Sequence, residues 1–193
     1  MAVALRPMTA GDADGIVHFL TSNSFPFHVV AGHTDESARA AVTSGRFWSE
    51  ESQGYWVEAD SGRIGLVVLE DLQDDTPMFD LRLAEGHRGQ GHGELVVRAV
   101  CDLVFTTLPH VRRFEGQTRE DNRAMRRVFL RSGFLKEAHY RLGWPVGGNR
   151  FVASVAYAIL RVDWAGGTVT PLEWDDELAR PDGTTTARGA RER

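Results

Sequence analysis

The sequence predicts a mixed α/β (α+β) domain built on one largely antiparallel central sheet flanked by helices. Three observations predict it. Strand-like and helix-like segments alternate along the chain. Two pairs of strand segments are joined through glycine turns, at Asp60-Ser61-Gly62-Arg63 and at Gly147-Gly148-Asn149, as antiparallel neighbours are. Gly93 to Leu108 then carries apolar residues at helical spacing, on a face that must pack against something.

Val3 to Leu5 reads as a short first strand. Thr9 reads as a helix cap, with Ile16, Val17, Phe19 and Leu20 supplying the apolar face. Asn23 to His33, with its Pro, Gly and aromatics, reads as a loop. Thr34 to Ser44 reads as a second helix, capped by Thr34, with Ser37 where a capping box prefers Glu, and ended by Gly45. Tyr55 to Ala59, Ile64 to Glu70 and Met78 to Ala84 are three strands, with a loop at Asp71 to Pro77. In the Gly93–Leu108 helix the predicted inner face is Leu95, Val96, Ala99, Val100, Leu103 and Val104, and Cys101 reads as a small core residue or its neighbour. Arg113 to Thr118 is a strand. Asp121 to Ser132 is a helix with Ala124, Met125, Val128 and Phe129 inward and Gly133 as its cap. Phe134 to Trp144 and Phe151 to Val162 are the last two strands.

At 193 residues the chain is long enough for one domain with a full core, predicted here over 1–179 with its centre at about 1–164. Residues 180–193 contain Pro, Gly, Thr and Arg with Ala as the only apolar type, so a mobile tail is expected there. No apolar run is long enough to span a bilayer, and the first residues carry no secretion pattern. A single cysteine excludes an internal disulfide and any cysteine-rich zinc site. These features predict a cytoplasmic protein without a membrane or metal partner. The net charge of −5 argues against a nucleic-acid partner, which calls for a basic face.

The chemistry concentrates in Arg88-Gly89-Gln90-Gly91-His92-Gly93, between a strand and the strongest helix. Three alternate glycines leave backbone N–H groups uncovered at a helix start, where the helix dipole adds to them, and such a loop suits a diphosphate. Arg88 is placed to add charge-assisted hydrogen bonds. A nucleotide-triphosphate loop would end in Gly-Lys-Ser or Gly-Lys-Thr, and a dinucleotide loop would read Gly-x-Gly-x-x-Gly. This sequence has neither. A plain tight turn is the alternative.

The order Arg-x-x-Gly-x-Gly resembles the coenzyme A loop of the GNAT superfamily of N-acetyltransferases. Asp121 to Phe134, with its Asn, helix and Gly-Phe pair, resembles the later signature of the same family. The intervening helix and strand are also in place. The strand ending Tyr157 to Trp164 resembles the last strand of the ribosomal-protein N-terminal acetyltransferase branch.

The resemblance implies acetyl-CoA, or another acyl-CoA such as succinyl-CoA, as co-substrate, with the diphosphate on Arg88, Gly89, Gln90, Gly91, His92 and Gly93. It implies that the pantetheine arm runs along Leu81, Arg82 and Leu83, with Asn122 reaching the same region and Phe129 beside it. It implies direct transfer of the acyl group to a primary amine of a small molecule or a peptide. Many members carry a tyrosine acid where this sequence has Phe129, which has no proton to give, and some carry a Glu where this sequence has Met78. A protonated amine must first lose a proton. The candidates to take it are Asp80, then Glu115, then His28, or a water. Phe27 and His28, in the loop between the first helices, are candidates to shape the acceptor site. Trp56, Trp144 and Tyr157 read as core. The missing tyrosine also leaves room for a non-catalytic acyl-CoA-binding module, and the family resemblance raises a homodimer.

Overall fold

The computed structural model describes residues 2–172; the predicted tail at 180–193 and the end of the predicted domain span lie outside them. The chain runs β1 (Ala4–Pro7), α1 (Ala13–Thr21), α2 (Asp35–Thr43), β2 (Ser52–Ala59), β3 (Gly62–Glu70), β4 (Met78–Leu83) and α3 (His92–Thr107). It continues through β5 (Arg113–Arg119), α4 (Arg123–Arg131), β6 (Leu135–Pro145), β7 (Phe151–Leu160) and α5 (Arg161–Gly166). The strands form one sheet in the order β1-β2-β3-β4-β5-β7-β6.

Every neighbouring pair is antiparallel except β4 and β5, which are parallel. These two share a single registered pair, Met78↔Glu115. Beyond it they part, so the sheet is split between them. The backbone shows which residues face the split. Glu115 N–H donates to the carbonyl of Pro77 at 3.1 Å, and Ala84 N–H donates to the carbonyl of Ile64 on β3 at 2.9 Å. Backbone direction alternates along a strand. Even-numbered residues of β4 therefore bond to β3, while Leu81 and Leu83 turn their N–H and C=O groups into the split.

Side chains alternate between two cores. On one face Val57, Val67 and Leu69 pack with Val96, Val100 and Val104 of α3 and with Phe129 of α4. On the other, Trp56, Leu66 and Val68 pack with Ile16, Phe19 and Leu20 of α1 and Val42 of α2. Adjacent residues of one strand thus enter different cores, as a two-residue period requires. Gly116 on β5 matters for its lack of a side chain. A Cβ there would lie 2.5 Å from the Phe129 ring and 2.8 Å from Phe79. The end of α3 is closed by Arg161, whose guanidinium donates to the carbonyls of Phe105, Leu108 and Val111, each at 2.6 Å.

Several sequence expectations need correction. A short 3₁₀ turn, Ala10–Asp12, precedes α1. The buried face of α3 is Val96, Val97, Val100, Cys101, Val104 and Phe105, one residue round from the predicted stripe. Its buried apolar residues all enter the one core that also takes Phe129 of α4. Ala124 is exposed rather than inward, because α4 stands off the sheet beside the split and buries only Phe129 completely. The last strand ends at Leu160, since Arg161 turns into α5 to make its three caps. The capping box on α2 is complete with Ser37 in the Glu position: Ser37 N–H donates to Thr34 Oγ1 at 3.2 Å and Thr34 N–H to Ser37 Oγ at 3.0 Å.

Candidate active site

The glycine loop has the geometry that its composition predicts. Gly89 and Gly91 have φ of +73° and +86°, the left-handed region that side chains disfavour. No atom lies within 4 Å of a Cβ placed on either, so the demand is conformational and their outer side is open. Gly93 serves close approach instead: a Cβ there would sit 3.1 Å from Val128 of α4. His92 is buried, with Nδ1 3.1 Å from the carbonyl of His87, which pins the loop onto the start of α3. Gln90 Nε2 donates to the carbonyl of Gly86 at 2.6 Å. Arg88 is tied inward: Nε donates to the carbonyl of Leu83 at 2.9 Å and Nη2 to that of Ser24. Its first duty is to fasten the loop to the end of β4 and to the α1–α2 segment.

A cleft of about 400 Å³ runs from this loop into the split. Leu81, Leu83 and the loop glycines form one wall, and Ala124, Met125 and Val128 of α4 form the other. Arg127 and Arg131 also reach it, alongside Arg88 and the carboxylate of Glu94, and leave this end net positive. Sequence reading did not single out Arg127 or Arg131, although their four-residue spacing places both on one helix face. The uncovered N–H groups, the positive end and the apolar trench fit a diphosphate followed by a thin, amide-bearing arm.

A second cavity of about 420 Å³ opens on the other side of β4, under the α1–α2 loop. The two cavities share Phe27, His28, Leu81, Asn122 and Met125. Among these His28 alone has a titratable side chain. Its Nε2 lies 2.9 Å from Asp80 Oδ1. The other Asp80 oxygen receives Arg46 Nη2 at 2.7 Å and Arg82 Nη2 at 3.0 Å. Burial alone would raise the Asp80 carboxyl, but the His28 hydrogen bond and the charges of Arg82 and Arg46 outweigh it and hold it far below the usual carboxylate range. Asp80 is thus a fixed anion. It takes the Nε2–H of His28, and the lone pair of the imidazole is then on Nδ1.

Around this centre, Arg46 Nη2 also binds Glu70 Oε1 at 2.8 Å. Burial raises the Glu70 carboxyl above its ordinary value. His33 Nε2 lies 3.4 Å from Arg82, and burial followed by the charges of Arg82 and Arg46 lowers its pKa, so it is neutral at neutral pH. Arg46 and Glu70 are site residues that sequence reading missed. Glu70 is the direct cross-strand partner of Met78, a pairing no sequence spacing announces.

The remaining candidates sort as follows. Asn122 caps α4 by accepting from Met125 N–H at 3.2 Å, donates to Thr118 Oγ1 at 3.0 Å, and lies on both cavities. Phe27 lies on both, under the Arg119 guanidinium. Phe129 stacks on Tyr157 with centroids 4.8 Å apart and closes the floor of the second cavity. Arg82 is a correction: its backbone faces β3 and its side chain joins Asp80, so it stands on the second cavity rather than the cleft. Glu115 is another. Its oxygens are held by Arg113 Nη1 at 2.7 Å and Gln117 Nε2 at 2.9 Å, and it lines neither cavity. Trp144, read as core, lines the second cavity, while Trp56 and Tyr157 are buried as expected. Among the described residues no three His, Cys, Asp or Glu side chains gather as a metal site.

The family model of the acetyltransferase (GNAT) domain matches residues 3–135. The chain belongs to the GNAT acetyltransferase family. Membership makes it an acetyl-CoA-dependent N-acetyltransferase. No curated protein matches the sequence. Among solved structures, the fold of this GNAT protein is similar to that of spermidine N-acetyltransferase from Vibrio cholerae in complex with CoA and spermine. The TM-score is 0.73 at 18% identity, over 84% of this chain and 98% of the other. A variant of the Vibrio cholerae enzyme gives 0.68 at 19% identity, over 83% and 96% of the two chains. A protein described as a probable acetyltransferase gives 0.70 at 19% identity, over 84% and 95%. Among the described residues no helix is long and apolar enough to cross a membrane.

Proposed function

We propose that acetyl-CoA lies in the cleft, with its diphosphate on Arg88 to Gly93 and its pantetheine arm beside Leu81 and Leu83, and that the second cavity takes a primary amine of a small molecule or peptide. The observation that carries the reading is His28, the titratable side chain on the wall common to both cavities. The thioester carbonyl and the amine nitrogen meet at that wall. His28 accepts the amine proton on Nδ1, an atom covered by surrounding side chains that the seating amine must displace, while Asp80 holds Nε2–H and stabilises the imidazolium. The amine nitrogen attacks the carbonyl carbon, and the oxyanion is met by a backbone N–H in the split, at Leu81 or Leu83. The carbon–sulfur bond then breaks, the nitrogen of the adduct releases its second proton to water, and the thiolate takes a proton from the imidazolium or from water. Asp80, first in the sequence order of bases, becomes the positioning group for His28, because a carboxylate held by two arginines is too weak a base for the task.

A succinyl donor needs a free cation beside the acyl group. Arg82, the candidate, has its guanidinium engaged with Asp80 and His33. The same reading keeps a homodimer through β6 and β7, whose surface exposes Tyr140, Leu142 and Phe151. The test is calorimetric titration with acetyl-CoA, succinyl-CoA and CoA, followed by thiol release with a panel of amines. Acetyl-CoA binding with amine-dependent thiol release supports the assignment. Binding without release on any amine sinks it in favour of a non-catalytic module.

A further inference from the structure

Phe27 and His28 stand on the wall common to both cavities, yet the segment that carries them, residues 22–34, lies outside every helix and strand. A segment without a backbone ladder belongs to the less stable part of a fold, and its order depends on the ties its side chains make. On the acceptor side His28 meets Asp80, and His33 lies beside Arg82. On the other side the ties run to the base of the glycine loop. Glu85, just past the end of β4, accepts with Oε1 from Ser24 N–H at 2.7 Å and from Ser24 Oγ at 2.6 Å. The N–H of Glu85 donates to Asn23 Oδ1 at 3.0 Å, and Asn23 Nδ2 donates to the carbonyl of Phe19 in α1 at 2.9 Å. Arg88 adds its bond to the carbonyl of Ser24.

The link continues through Phe25, which is buried. The guanidiniums of Arg82 and Arg88 lie 4.9 and 5.5 Å from its ring centroid, and the His28 ring meets it edge-on at 5.7 Å. Glu85, Ser24 and Asn23 themselves line neither cavity. They serve the site through the segment they hold. The Ser24 bonds lower the Glu85 carboxyl below its ordinary value, so the two bonds are charge-assisted at neutral pH.

We infer that Glu85 and Ser24 are positioning residues for the acceptor wall: they fix the Phe25–His28 segment to the base of the coenzyme loop, so that coenzyme seated on that loop steadies the acceptor site. This rests on the placement of acetyl-CoA in the cleft. Phe25, Pro26 and Phe27 also line the cleft, so coenzyme can touch the segment directly, and substitution at Glu85 separates the two routes. Hydrogen exchange of the full chain with and without free CoA tests it. In the wild-type protein CoA should slow exchange at both 86–93 and 23–33. Glu85→Ala should keep its affinity for CoA in calorimetry and its protection at 86–93. Exchange at 23–33 with CoA bound should rise at least about threefold, the modest size that solvent-exposed ionic hydrogen bonds supply. Glu85→Gln keeps an oxygen for Ser24 and should recover most of the protection. Ser24→Ala leaves the backbone bond and should lose part of it. Equal protection of 23–33 in the wild type and Glu85→Ala, no effect of CoA on 23–33, or faster exchange across β2 and β3 as well overturns the inference and leaves the coenzyme placement standing. No protection at 86–93 in the wild type overturns both.

Discussion

At the scale of single residues, the proposed chemistry turns on a histidine and a carboxylate whose roles are separated by their surroundings. Asp80 is surrounded by Arg46, Arg82 and His28, so it keeps its negative charge and gives up basicity. His28 touches one of those charges, and its Nδ1 is buried without a hydrogen-bond partner among the described residues. His28→Gln retains a donor toward Asp80 and removes the proton acceptor. Turnover should fall about 100-fold or more with acetyl-CoA affinity kept, by thiol release and calorimetry side by side. A loss of only a few-fold would remove His28 as base. Asp80→Asn should lower turnover less and move the acid limb of the pH–rate profile, because it acts through the imidazole. Cys101 has no part in this chemistry: burial pushes its thiol up to about 12. It should resist a thiol reagent in the folded protein and react at once in denaturant; rapid labelling of the native chain would contradict its burial.

At the scale of elements, the proposed diphosphate site is the loop between β4 and α3, which offers backbone groups. Its left-handed glycines leave its outer side open, and the start of the 16-residue helix α3 adds its dipole. Gly91→Glu puts bulk, strain and a negative charge where the diphosphate would lie. The variant should fold and lose measurable acetyl-CoA affinity in calorimetry, and retained affinity would displace the cofactor from this loop. The loop was legible in the sequence because glycine spacing is local. So was Gly133 as terminator, which depends on its immediate neighbours. The face of α3 was misread by one residue for the opposite reason. Apolar periodicity finds a stripe, but which side of the stripe is deepest depends on where α4 and the sheet stand.

At the scale of the whole molecule, the split sheet places two cavities back to back. Gly116 allows Phe129 and Phe79 to close over β5. Gly116→Ala should destabilise the fold by about 1–3 kcal/mol, read as a lower Tm, since neither ring can withdraw from a packed core. Acid provides a second global test. The folded pKa of Asp80 is depressed, so its stabilisation is full above the unfolded carboxylate value of about 3.9 and is lost as pH falls below it. The protein should lose stability steeply below about pH 4, and Asp80→Asn, less stable at neutral pH, should show a shallower acid slope in denaturant melts.

The sequence by itself determined the alternation of elements, the capping residues, the glycine loop and the family they resemble. All of these rest on contacts within a few residues, or on motifs carried in order along the chain. Only the tertiary structure decided which carboxylates and cations meet. Asp80, His28, Arg46 and Glu70 come from two strands and two loops far apart in sequence. Glu115, a candidate on composition and strand position, faces Arg113 instead of a cavity. Proton-transfer partners are chosen by distances of about 3 Å, and such distances between remote segments are set by how the sheet twists, splits and is covered.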